Sequence, residues 1–212
     1  MIIKSTDTVP PTYEFIIRKL LPSGRLMILD LGCETGVWGA TLNRKKKYEF
    51  TGVDIYKPYL DICRKKGYYK RLIKDDLTNI DFKTKSFDVV FLFQVIEHLG
   101  KEDAIKLIKK SINIARKAVI ISVPNGECHQ GVYDCNEHQK HLSKWMVEDL
   151  EKLGFRVFGQ GLRVIYGSES YERSKKASLW QKIVVPLSSF LFPLVLFFPQ
   201  LGAQLIAVKY DK

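Results

Sequence analysis

The rhythm of its apolar residues constrains this chain most. Short β-rich runs alternate with amphipathic runs of helical period, the pattern of βαβ units wound around a mostly parallel sheet. Strands are expected at Leu26–Leu31, Phe50–Asp54, Tyr69–Ile73, Val89–Phe93 and Val119–Val123. Helices are expected between them at Val37–Asn43, Pro58–Lys65 and Lys101–Ala115, the last with Ile105, Leu107, Ile108 and Ile112 on one side. After Pro124 the rhythm changes to a polar loop, a helix over Ser143–Leu153, a strand over Phe155–Phe158 and a last strand over Leu205–Val208. A helix over Pro11–Leu21 precedes the first strand and stops at Pro22-Ser-Gly24. With 212 residues the chain reads as a single domain, residues 1–212.

Ordinary globular usage, 46% hydrophobic and 27% charged, excludes a wholly disordered or collagen-like chain. Four cysteines are too few for a disulfide scaffold, and the polar Ser5-Thr-Asp-Thr8 stretch is not a signal peptide. A cytoplasmic protein with reduced thiols is the expectation. The 34 Lys and Arg against 23 Asp and Glu leave a net charge of +11, which favours anionic partners such as nucleic acid, phosphorylated metabolites or an acidic membrane surface. The densest runs, Arg44–Lys47 and Arg64–Lys66, fall at the C-terminal ends of expected helices, where cations complement the helix dipole.

Residues Ile28-Leu-Asp-Leu-Gly-Cys-Glu-Thr-Gly36 run from an apolar strand into a glycine turn that opens a helix. Such a turn presents free backbone amides and lets a ligand approach closely. The dinucleotide pattern G-x-G-x-x-G is broken at Glu34 and Val37, and no Gly-Lys-Ser/Thr follows. A nucleoside ligand with little phosphate fits better, because Glu34 would repel a pyrophosphate. Asp54 ends the second strand about 20 residues on, where a carboxylate can accept from both ribose hydroxyls.

Taken together, these residues resemble the class I S-adenosylmethionine-dependent methyltransferases, in particular the type 11-like small-molecule group with the pattern D-L-G-C-G-T-G. Here it reads Asp30-Leu-Gly32-Cys33-Glu34-Thr35-Gly36, with Glu34 in the place of the middle glycine. Further matches are Lys74-Asp75-Asp76-Leu77, the stretch Ser86 to Leu99 ending in Glu97-His98-Leu99, Pro124-Asn-Gly126, His141-Leu-Ser-Lys-Trp145 and Leu153-Gly-Phe155. The resemblance implies a doubly wound, Rossmann-like seven-stranded sheet, mostly parallel with an antiparallel C-terminal strand. It also implies S-adenosyl-L-methionine as cofactor, S-adenosyl-L-homocysteine as product, and methyl transfer to an oxygen, nitrogen or carbon of the acceptor. Donor contacts are implied for Asp30, Gly32, Cys33, Gly36, Asp54, Ile55, Asp75, Asp76, Leu77, Phe93 and Gln94.

On the acceptor side, proton-handling groups cluster at Glu97-His98 and in the loop carrying Cys128, His129, Cys135, His138 and His141. His98, His129, His138 and His141 are the candidate catalytic residues. Cys135-x-x-His138-x-x-His141 lacks the Cys-x-x-Cys knuckle of structural zinc sites, so no metal is assigned. No Asn/Asp-Pro-Pro-aromatic motif follows the fourth strand, which argues against adenine-N6 chemistry.

Residues 183–208 carry no charge, but Pro186, Pro193 and Pro199 interrupt them and the last strand claims their end, so a bilayer span is not expected. An apolar helical insertion at about 172–200 fits better, with Trp180, Phe190, Phe192, Phe197 and Phe198 beside Arg173, Lys175, Lys176 and Lys182. It can serve as a lid over an apolar acceptor, a peripheral membrane contact or a homodimer surface, and each use favours a hydrophobic or lipid- or glycan-linked small acceptor. Two other readings stay open: an RNA methyltransferase exploiting the positive field, and a donor-binding but inactive partner or membrane adaptor, for which Glu34 is the telling residue.

Overall fold

The computed structural model describes residues 9–127, 131–132, 136–163 and 192–211. Their seven strands, β1 (Met27–Leu31), β2 (Glu49–Asp54), β3 (Arg71–Lys74), β4 (Phe87–Phe93), β5 (Ala115–Pro124), β6 (Arg156–Leu162) and β7 (Gly202–Tyr210), form one sheet. The order is β3-β2-β1-β4-β5-β7-β6, with β7 antiparallel to both of its neighbours and the other pairings parallel. Helices α1 (Pro11–Leu20), α2 (Val37–Leu42), α3 (Lys57–Lys66), α4 (Lys101–Ile114), α5 (Val147–Lys152) and α6 (Phe192–Phe197) accompany it. This is the expected doubly wound, Rossmann-like fold, mostly parallel with antiparallel pairing at the C-terminal strand.

The two-residue side-chain period of each strand builds two cores at once. Leu29, Leu31, Val90, Leu92, Val119 and Ile121 point to the face covered by α4 and α5. Ile28, Val89, Phe91, Phe93 and Ile120 point to the other, against Tyr13, Ile16 and Ile17 of α1 and Trp38 of α2. Every residue of β4 is buried, as expected for a central strand covered on both faces.

Local chemistry sets the element ends. Pro11 and Pro58 stand in the first turns of α1 and α3, and Gly67 ends α3 in the left-handed region at φ 68°. The Arg64–Lys66 run lies in the last turn of α3, as expected. One helix departs from expectation: α5 begins at Val147 rather than Ser143. The preceding residues are held extended, because the Gly126 amide donates to the Trp145 carbonyl and the amides of Leu142 and Ser143 both donate to the Glu97 carbonyl. Of the apolar segment expected at about 172–200, residues 192–200 are described, as α6 and the start of a 3-10 turn over Pro199–Leu201. Trp180, Phe190 and the basic residues 173–182 lie outside the described residues. Among the described residues no helix is long and apolar enough to cross a membrane.

Candidate active site

In an open α/β sheet the ligand crevice lies beyond the carboxyl ends of the parallel strands. Register places those ends together: Asp30 of β1 is level with Gly52 of β2 and Phe91 of β4, and Asp54 is level with Lys74 of β3. The chain leaves β1 through Gly32, whose amide donates to the Val53 carbonyl at 2.8 Å, as does that of Cys33 at 3.0 Å. Gly32 sits at φ 73°, and a Cβ there would lie 2.4 Å from a methyl of Val95. A side chain would therefore be both strained and crowded at this turn. Gly36, at φ 78°, opens α2.

Glu34, in the middle of the turn, adopts φ 44°. A left-handed conformation costs a non-glycine residue about 1–2 kcal/mol. The turn forms regardless, because the Glu34 amide donates to Asp54 Oδ2 at 2.9 Å while the Glu34 carbonyl lies 2.9 Å from the Cys63 thiol. Gln139 donates to the Glu34 carboxylate at 3.3 Å. The other oxygen of Asp54 accepts from the Tyr56 amide at 2.8 Å. Asp54 is thus locked in place with two amide bonds on a carboxylate that has about four acceptor sites, which leaves capacity for two hydroxyl donors.

Around this turn the charge is negative. Asp30 is fully buried and accepts from the Tyr69 hydroxyl at 2.5 Å. Burial pushes its carboxyl up to about 7, opposed by the Tyr69 bond and reinforced by Asp54 and Glu34. Burial also raises Asp54, although its amide partners and the positive potential of His138 oppose the shift. Half-buried Leu77 lies near Gly32, Asp75 is exposed, and the Asp76 carboxylate accepts from the amide and hydroxyl of Thr78. This acidic, glycine-lined crevice fits a sulfonium nucleoside: two acceptor positions suit ribose hydroxyls and the carboxylates suit cationic sulfur and ammonium.

On the other side of the crevice, Gln94 follows β4 at φ 54° and donates to Ser122 Oγ at 2.7 Å and to Gln204 at 3.3 Å. The buried Tyr13 hydroxyl of α1 donates to the same Ser122 Oγ. The next residues form a 3-10 turn over Ile96–His98. Glu97 is 2% exposed and neither carboxylate oxygen has a hydrogen-bond partner. Burial pushes its carboxyl up to about 8, and burial pushes the His98 imidazole down to about 4. The His98 and His141 rings meet edge to face at 4.8 Å.

Of the four candidate histidines, the structure therefore joins His98 and His141. His138, in a separate 3-10 turn over Glu137–Gln139, is exposed and faces Asp54 electrostatically. His129, Cys128 and Cys135 lie outside the described residues. Sequence reasoning missed Tyr13, Tyr69, Ser122 and Gln139. Tyr13 reads as one more apolar position on an amphipathic helix, and nothing near Tyr69 in sequence signals its bond to Asp30.

The raised carboxyl of Asp30 predicts a pH dependence. Titratable groups facing it are Tyr69, Cys33, Asp54 and Glu34. A cationic ligand prefers the ionised carboxylate, so affinity for S-adenosylmethionine should rise as pH increases through about 7, and Asp30→Asn should flatten that rise in calorimetric titrations. Linkage gives the opposite sign for the ligand-free fold. A carboxyl raised in the folded state costs stability as pH climbs from about 4 to 7, a loss that Asp30→Asn removes.

A methyltransferase-domain family matches residues 28–118. A SAM-dependent methyltransferase of Archaeoglobus fulgidus superposes with a TM-score of 0.59 at 17% identity, over 94% of this chain and 93% of that one. A SAM-dependent methyltransferase of Thermotoga maritima gives 0.58 at 17%, over 95% and 88%. Phosphoethanolamine N-methyltransferase 2 of Haemonchus contortus, determined in complex with S-adenosyl-L-methionine, gives 0.58 at 16%, over 95% of this chain. The chain spans about half of that protein's length, 52%. No curated protein matches the sequence. Residues 28–118, from β1 into β5, thus carry a methyltransferase domain, and these likenesses show that the chain around it has the fold of the class I S-adenosylmethionine-dependent methyltransferases.

Proposed function

We propose that the protein methylates a small, hydrophobic or lipid- or glycan-linked acceptor. The observation that carries this reading is the apolar surface flanking the end of β5. Leu142 and Met146 are exposed on one side, and Phe197, Phe198 and Leu201 on the other, Phe197 at 79%. The loop Pro124–Gly126 joins the two sides: Met146 Sδ packs near Gly126, and the buried Asn125 amide donates to the carbonyls of Pro199, Gln200 and Gly202. Exposed apolar clusters of this kind mark apolar ligands or interfaces.

In this reading Asp54 accepts from the ribose, Gly32 and Gly36 allow close approach, Asp76 and Leu77 border the base, and Gln94 lies beside the methionine portion. S-adenosylmethionine supplies an already activated methyl group, so the chain's own task is to align the acceptor and exclude water. Glu97, His98 and His141 stand where the acceptor arrives. The chain is read as one domain, with its apolar insertion serving this mouth.

Transfer of labelled methyl from S-adenosylmethionine tests the reading across hydrophobic alcohols, phenols and amines, lipid-linked sugars, free sugars, amino acids and total RNA. The expected result is turnover confined to apolar or lipid-linked acceptors. Turnover on RNA alone, lost steeply with added salt, would replace this acceptor class with a nucleic acid. Donor binding without transfer to any acceptor would favour the inactive adaptor.

A further inference from the structure

We propose that Glu97, His98 and His141 hold a divalent cation of the zinc or manganese type, placed at the end of β4 to take an oxygen of the methyl acceptor. One ligand atom from each of the three residues lies within 4.8 Å of the others. One carboxylate with two imidazoles is a donor set that borderline metals accept, leaving coordination positions open. Metal–ligand bonds of about 2.0–2.2 Å require donors somewhat closer than this, a closure within reach of small side-chain rotations.

Three independent features point to a cation. Glu97 is buried with both carboxylate oxygens lacking a hydrogen-bond partner. An uncompensated buried carboxylate is expensive, and a cation answers both the charge and the empty lone pairs. Second, His98 Nδ1 lies 3.1 Å from the Lys140 carbonyl. That contact places the ring proton on Nδ1 and leaves Nε2 as the nitrogen with a lone pair for an ion, the arrangement by which proteins orient a metal-binding imidazole.

Third, the ligand-bearing segments are braced before any ion arrives. The Leu142 and Ser143 amides donate to the Glu97 carbonyl at 2.7 and 3.1 Å, and Ser143 Oγ donates to the Ile96 carbonyl at 3.1 Å. His141 is thereby fixed beside His98. The ligand set differs from the Cys135-x-x-His138-x-x-His141 spacing weighed in the sequence, since Glu97 and His98 are brought to His141 by tertiary contact and His138 faces Asp54 instead.

A bound cation would orient an acceptor hydroxyl and lower its pKa, so that the oxygen passes its proton to solvent and forms the O–CH3 bond as the S–CH3 bond breaks, its electron pair staying on the sulfur of S-adenosylhomocysteine. This consequence for the acceptor rests on the methyltransferase reading, whereas the cation site itself does not. Chelator-treated protein titrated calorimetrically with zinc chloride and with manganese chloride tests the site, with S-adenosylhomocysteine titrated into the same preparations. Expected is one equivalent of one of these ions, weakened at least about tenfold in Glu97→Gln and in His141→Gln but unchanged in His138→Gln. S-adenosylhomocysteine affinity should hold in Glu97→Gln and His141→Gln, which shows that the fold and donor site survive. Wild type that binds S-adenosylhomocysteine but neither ion overturns the proposal, as does an ion whose affinity is the same in Glu97→Gln and His141→Gln. Failure to bind either ion or S-adenosylhomocysteine overturns the methyltransferase reading as well.

Discussion

Asp54→Ala is expected to weaken S-adenosylhomocysteine binding by at least about 100-fold, measured by calorimetric titration. A hydrogen bond to a charged group contributes about 1.5–3 kcal/mol, and two ribose hydroxyls on one carboxylate make a loss of about 3 kcal/mol or more. The substitution also removes the acceptor of the Glu34 amide and of the Tyr56 amide. Glu34 keeps its left-handed turn with the help of the first of these bonds, so the cradle loosens together with the ribose contact. Asp54→Asn separates the two contributions: it retains one acceptor oxygen and should fall between wild type and Asp54→Ala. An unchanged dissociation constant in Asp54→Ala would show that the ribose is held elsewhere.

Trp145→Ala carries the second large effect, on stability. Trp145 is 1% exposed, its indole N–H donates to Ser143 Oγ at 3.0 Å, and the Lys101 ammonium stands 3.5 Å over its ring. Truncating a buried tryptophan costs about 3–5 kcal/mol, and the cation–π contact with the partly exposed Lys101 contributes about 0.5–1 kcal/mol of that loss. Chemical denaturation should show the midpoint falling accordingly. The damage has a direction as well. Ser143 links Trp145 to the Ile96 carbonyl, and Lys101 donates to the Lys144 carbonyl and pairs with Asp149 at 2.9 Å. Losing the indole frees the segment that holds His141 against His98. In the fraction that remains folded, methyl transfer should therefore drop more than donor affinity, because Asp54 and Gly32 lie on other elements. Equal loss of both would mean that the whole crevice depends on this anchor.

Much of the architecture was legible because it is local. Alternating apolar runs located all seven strands, and Pro11, Pro58 and Gly67 mark helix ends by their own backbone preferences. The α5 boundary was not legible. Ser143 looks like a helix start, yet its amide and hydroxyl are spent on the carbonyls of Glu97 and Ile96, residues far away in sequence. Glu34 shows the same limit from the other side. Its place in a glycine pattern was visible, while the Asp54 bond that helps a non-glycine residue hold φ 44° belongs to a neighbouring strand.

By itself the sequence determined the doubly wound sheet, the glycine turn after β1 and the acid at the end of β2. Each of these follows from residue spacing along one strand–turn–helix unit and from the single hand of parallel crossovers. Tertiary structure alone decided what meets across units. It set Tyr69 on Asp30, Tyr13 on Ser122, and His141 beside Glu97 and His98, while leaving His138 to face Asp54. The physical reason is that a long-range contact is selected by the packing of whole elements, here the bracing of residues 140–145 against the turn after β4, and no periodicity within either segment encodes its partner.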